Sequence, residues 1–216
     1  MKKMLLKSWY ILAALLVVLQ ACTKKIVNLS HSKADVKQYY EGGQYEKELK
    51  EVIDGAIGEF EEITIPENAL VIFDIDETTL SNYKYIKSLD FGYEFNDWQR
   101  YLKEDDADVI PETKRLYDWL INKGVKVIFL TGRHIETYEH TKENLEKVGY
   151  TKFEKLIVRD HETKKTPAIE FKTEVRRKLT EEGYKIIGCV GDQLSDTMGL
   201  YTGLKVKLPN HMYYIE

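Results

Sequence analysis

The chain has 216 residues, 43% hydrophobic and 31% charged, which suits one domain of ordinary size with appendages and excludes a largely disordered chain. Its formal net charge of -4 provides no basic face for a nucleic-acid polymer, so a phosphate site would have to be local.

Residues 1–22 stand apart. Lys2, Lys3 and Lys7 precede the 11-residue apolar run "WYILAALLVVL", which is short of the roughly 20 residues that span a bilayer. A cleaved signal peptide is expected, with an uncleaved signal anchor as the alternative. Ala21 before Cys22 is similar to a bacterial lipobox, although Gln20 stands where such motifs place a small or β-branched residue. That resemblance implies export, with a lipid on Cys22 holding the protein to a membrane. Cys189 would then be unpaired, a buried small hydrophobe in "KIIGCVGD"; a Cys22–Cys189 disulfide is the alternative.

Residues 23–40 are polar and pattern-poor and read as a tether, followed by one domain over 41–216. In "QYEKELKEVIDGAIGEF" a helical face is formed by Tyr45, Leu49, Val52, Ile53, Ala56, Ile57 and Phe60. Five apolar runs then read as buried strands: "ALVIFDID", "VKVIFLTG", "KLIVRD", "YKIIGCVGD" and "LKVKLP". Helical patterns separate most of them: "PETKRLYDWLINKG", "IETYEHTKENLEKVG" and "AIEFKTEVRRKLTEEG", each closed by glycine. Continuously apolar strands alternating with helices predict an α/β fold, a doubly wound parallel sheet with its ligand at the carboxyl ends of the strands. Residues 81–110 interrupt the alternation with Tyr83, Tyr85, Phe91, Tyr93, Phe95, Trp98 and Tyr101, too many aromatics for a plain loop. A small helical cap is expected there, with 41–62 contributing to it.

Polar residues cluster at the predicted strand ends. Asp74 and Asp76 lie two apart, so both can face one site, where neighbouring carboxylates repel unless a cation separates them or one keeps its proton. Alone, the pair reads more readily as a polar turn than as a site. A calcium loop is excluded, because Thr79 and Tyr85 occupy the positions that need Gly and Glu. Thr131 and Gly132 in "FLTGR" offer a hydroxyl and close-lying backbone N–H groups for phosphate oxygens. Asp192 and Asp196 in "VGDQLSD" suit Mg²⁺, and Lys172 in "EFKTEVRRKL" is a candidate phosphate cation, with Lys164 and Lys165 as competitors.

Taken in order, "DIDETTL", "FLTGR", the lysine of "FKTEVRRKL" and "GDQLSD" resemble the four motifs of the haloacid dehalogenase superfamily. Their forms resemble its acid phosphatase branch, which holds bacterial class C lipoprotein phosphatases and plant vegetative acid phosphatases. The likeness runs from about residue 40 through a terminal "LPNHMYY"; substrate contacts from a longer C-terminal segment of some bacterial relatives are not carried over. It implies a Mg²⁺-dependent phosphomonoesterase acting on a small phosphate ester, with 5′-nucleotides among the candidates. Asp74 matches the nucleophile and Asp76 the general acid/base, whose backbone carbonyl also reaches the metal. Asp192 matches a metal ligand supported by Asp196, Thr131 a phosphate binder, and Lys172 the cation on nucleophile and phosphate. A phosphotransferase using the same aspartyl-phosphate, or a noncatalytic surface or storage relative, are the alternatives. The resemblance implies that some plant relatives have lost activity along with the nucleophile, whereas Asp74 is present.

Overall fold

A computed structural model describes residues 26–104 and 106–215. The signal peptide and Cys22 lie outside the described residues. Two units are distinguished, one ending at Ala34 and one from Asp35 onward. In the first, the described residues hold the start of helix α1 (Leu29–Glu41). The stretch expected as a tether is therefore helical from Leu29. Its pattern is weak because only Tyr39 and Tyr40 are buried, both in the second unit. There they join an aromatic cluster with Tyr45, Tyr83 and His211, and such tertiary packing outweighs weak local propensity.

The second unit is built on five parallel strands in the order β5-β4-β1-β6-β7: β1 (Ala69–Phe73), β4 (Lys126–His134), β5 (Lys155–Arg159), β6 (Lys185–Gly191) and β7 (Leu204–Lys207). All five residues of β1 are buried, the signature of a strand covered on both faces. Ala69, Val71 and Phe73 face one apolar cluster, Leu70 and Ile72 the other. The first cluster takes in Leu49, Ile53, Ala56 and Phe60 of α2 (Gln44–Glu61) and Leu116, Tyr117 and Leu120 of α5 (Pro111–Asn122). The second takes in Phe171 and Leu179 of α7 (Ala168–Glu181). Each fully buried Leu, Ile or Phe stabilises this arrangement by roughly 1.5–3 kcal/mol.

Residues 41–62 are thus not cap: the apolar face of α2 lies on the sheet. Its approach is close enough that a Cβ on Gly188 would fall 2.5 Å from Phe60 Cζ, which explains a glycine inside β6. The other stretch expected in the cap is the 81–110 insert. Its ends are tied by an antiparallel pair, β2 (Leu80–Ser81) with β3 (Asp108–Val109), and it carries α3 (Tyr83–Ser88) and α4 (Phe95–Tyr101). After β4 a 3₁₀ turn leads into α6 (Tyr138–Lys147), and after β6 comes the four-residue α8 (Leu194–Thr197).

Candidate active site

β1, β4 and β6 lie side by side, and the chain reverses direction across the sheet between β5 and β6, so their carboxyl ends flank the crevice where such sheets bind ligands. Asp74 follows β1 directly. Its N–H donates to Val190 O at 2.9 Å, fixing the residue against the end of β6. The turn behind it is closed by Thr79 Oγ1, which donates to Asp74 O at 2.5 Å, and by the N–H groups of Thr78, Thr79 and Leu80, which donate to Ile75 O. Glu77 sits in this turn at φ 56°, the left-handed region that non-glycine residues occupy at some cost.

Among the described residues, Asp74, Asp192 and Asp196 each bring a carboxylate oxygen within 4.8 Å of the others, and all three are buried. Lys172, projecting from α7, lies among them. Its Nζ donates to Asp74 Oδ1 at 2.6 Å and also to Asp196 Oδ1. Lys164 instead lies over the Phe95 ring. Burial pushes the Asp74 carboxyl well above the usual carboxylate range; Lys172 opposes this, while Asp196, Asp192 and Asp76 add to it. Asp192 is pushed up to about 6, by burial first and the Asp196 charge next. Lys172 is held above the usual lysine value because its two carboxylates outweigh its burial.

Asp76 is placed differently from the expectation of a paired site. Its carboxylate is not in the three-aspartate cluster but docks on Arg133, whose Nη2 donates to Oδ1 at 2.7 Å and whose Nε reaches Oδ1 at 3.1 Å and Oδ2 at 3.2 Å. Asn82 Nδ2 donates to the same Oδ1 at 3.0 Å. β1 ends at Phe73, so neither aspartate lies in regular strand and the alternation that puts residues two apart on one side does not extend to them.

Thr131 is fully buried, and its Oγ1 accepts the Arg133 N–H at 3.1 Å. Gly132 is exposed at the strand end, and a Cβ there would meet nothing nearer than Arg159 Nε at 3.9 Å, so sterics alone do not demand a glycine. Of the cap aromatics, Tyr85 and Tyr101 stack at 4.1 Å with Trp98 beside them, filling the cap's own interior. Tyr93 and Phe95 are exposed.

Several residues around the site were not singled out by sequence reasoning. Glu77 is buried, with Oε1 accepting the Asn82 N–H at 2.8 Å and Oε2 accepting the Tyr213 hydroxyl; burial pushes it up to about 8. The buried Arg176 donates to the carbonyls of Asp196 at 3.1 Å, Met198 at 2.6 Å and Leu200 at 3.1 Å, pinning the segment that carries Asp196. Asn210 Nδ2 and Gln193 Nε2 both donate to Asp192 Oδ2, at 2.7 and 2.5 Å.

At the end of the central strand of a parallel sheet, an aspartate bound to a lysine and two further aspartates beside it form one buried charged group. A profile of the HAD superfamily, subfamily IIIB (Acid phosphatase), matches residues 8–216, and the chain belongs to this family. It is 38% identical over 186 residues to the stem 28 kDa glycoprotein of Glycine max, covering 83% of this chain and 73% of the relative. It is 36% identical over 187 residues to acid phosphatase 1 of Solanum lycopersicum, with the same 83% and 73% coverage. The fold matches the class C acid phosphatase from Bacillus anthracis, with a TM-score of 0.72 over 87% of each chain at 20% identity. The chain is an acid phosphatase, a hydrolase of phosphomonoesters.

Proposed function

We propose that the protein is an exported, Mg²⁺-dependent acid phosphatase that hydrolyses small phosphomonoesters, 5′-nucleotides among them, through an aspartyl-phosphate on Asp74. The observation that carries this reading is Lys172 Nζ on Asp74 Oδ1 at 2.6 Å, inside the group formed with Asp192 and Asp196. The donor set fits a hard cation: three carboxylates converge against one ammonium, an excess of negative charge in a buried site, and all offer oxygen. Asp74, Asp192 and Asp196 would hold the ion, together with the backbone carbonyl that the family resemblance assigns to Asp76. Bound there, Mg²⁺ supplies charge that offsets the phosphate's repulsion of the attacking carboxylate.

The chain's own groups divide the work. An Asp74 oxygen attacks phosphorus as the bond to the leaving oxygen breaks, and Asp76 gives its proton to that oxygen. In the second step Asp76 takes a proton from water. The hydroxyl displaces the Asp74 carboxylate from phosphorus, releasing inorganic phosphate and restoring both aspartates. Lys172 steadies Asp74 and phosphate oxygens, and the N–H groups of Thr131 and Gly132, near the carboxyl end of β4, supply further donors. Arg133 and Asn82 orient Asp76.

The experiment is hydrolysis of an aryl phosphate and a panel of nucleoside monophosphates, with and without Mg²⁺. Asp74→Asn is expected to abolish turnover on every substrate; full activity in that variant would overturn the mechanism. A panel on which nucleotides are not hydrolysed would remove them from the substrate range. Export and anchoring rest on the N-terminal sequence pattern. Fatty-acid labelling of the wild type, lost in Cys22→Ala, is the expected result, and an unlabelled wild type would refute the anchor.

A further inference from the structure

Asp192 is held by donors whose own orientations are set from one segment, residues 210–215. Its Oδ2 accepts two amide groups, Asn210 Nδ2 at 2.7 Å and Gln193 Nε2 at 2.5 Å. An isolated amide could present either its oxygen or its nitrogen, but here main-chain donors settle the choice. The Met212 N–H donates to Asn210 Oδ1 at 2.8 Å, and the Ile215 N–H donates to Gln193 Oε1 at 2.9 Å. Each contact occupies the amide oxygen and turns the NH₂ group to the same carboxylate oxygen. On the other side, the Thr78 hydroxyl donates to Asp192 Oδ1 at 3.1 Å and accepts the Asp192 N–H at 3.0 Å. Three donors on two oxygens fix the plane of the carboxylate.

The same segment is anchored at two more points near the site. Tyr213 donates its hydroxyl to Glu77, next to Asp76, and the His211 N–H donates to Tyr40 OH at 3.3 Å. Residues 210–215 thus run as a strap from one edge of the site to the other.

We propose that Asn210 and Gln193, oriented by this strap, are positioning residues that set the affinity of the Asp74–Asp192–Asp196 group for a divalent cation by holding the Asp192 carboxylate in place. The inference rests on the reading above that this group takes such an ion. Groups that orient metal-ligating carboxylates typically govern affinity by about 10–100-fold.

The test is Mg²⁺ titration of the metal-stripped full chain, read by calorimetry and by the rise in Tm, on wild type and Asn210→Leu. The variant is expected to bind Mg²⁺ about 10–100-fold more weakly, with an unchanged far-UV CD spectrum and with kcat restored at saturating Mg²⁺. A merely structural role would lower kcat at every metal concentration, and that result would overturn the proposal. Should Asn210→Leu fold poorly, Gln193→Leu removes the other donor and decides the matter by the same readings. Tyr214→Ala, at an exposed position of the strap, is expected to bind like wild type. If wild type responds to Mg²⁺ and Asn210→Leu or Gln193→Leu binds it equally well, the strap role falls alone. If wild type shows no response to Mg²⁺, the metal reading itself fails.

Discussion

Asp76 and Arg133 form an ion pair in which the guanidinium side chain is only 2% exposed and the carboxylate 19%. Two nitrogens of the guanidinium face the carboxylate, and the third, Nη1, donates to Thr141 Oγ1 at 3.1 Å, so all three nitrogens are engaged. The arrangement costs desolvation, but it leaves Asp76 one orientation.

Removing one partner of such a pair strands the other. Arg133→Leu is expected to destabilise the protein by about 3–5 kcal/mol, the usual cost of an uncompensated buried charge. Arg133→Lys keeps the charge but not the fork, and should lose less. Urea unfolding monitored by CD measures both; an unchanged midpoint for Arg133→Leu would show that the pair contributes nothing net.

Lys172 is the cation against which Asp74 and Asp196 are set. Lys172→Met leaves those carboxylates facing each other and removes a donor from the phosphate position, so kcat on an aryl phosphate should fall by about 10²–10³-fold at saturating metal. A fall of less than tenfold would mean that the lysine only fills space.

Glu77 makes stability depend on pH in a particular direction. Its carboxyl is raised from 4.5 to about 8, chiefly by burial and then by the charges of Asp76 and Asp192. Between those values the unfolded chain has released a proton that the folded chain retains. The unfolded state therefore binds fewer protons, and stability falls as pH rises through the window. Glu77→Gln removes the titration while keeping the size of the side chain. With metal chelated, the Tm of the variant relative to wild type is expected to rise by several degrees from pH 5 to pH 8, at about 2–4 °C per kcal/mol. A difference that stays constant with pH would refute the assignment.

The parts of this architecture that could be read from sequence are those with local periodicity. Every strand of the sheet is a short apolar run, and Pro111 and Gly124 mark the two ends of α5 because each end has its own backbone requirement. The aspartates, Thr131 and Lys172 stood out because they fall at strand ends or on a helix in a recurring order, and folding brings Asp74, Asp192, Asp196 and Lys172 together. Asn82, Glu77, Gln193 and Asn210 were not. Each acts through a few hydrogen bonds whose partners and directions are set by the folded loop, and a polar side chain in a polar loop carries no mark of that. The side of the sheet taken by α2 was hidden for a related reason: an amphipathic helix declares that it has a buried face but not what it will cover.

The first strand of the sheet in the chain is also its central one. β1 pairs with β4 on one side and with β6 on the other, and the N–H of Asp74 finds its partner only at Val190. During synthesis, an entirely apolar strand must therefore wait, half unpaired, until Lys185–Gly191 has been made. Closing so long a loop is slow relative to local contacts. Catalytic competence and this late pairing then coincide: a chain stalled before β6 has neither a complete sheet nor a fixed Asp74, and cannot act until β6 has been made.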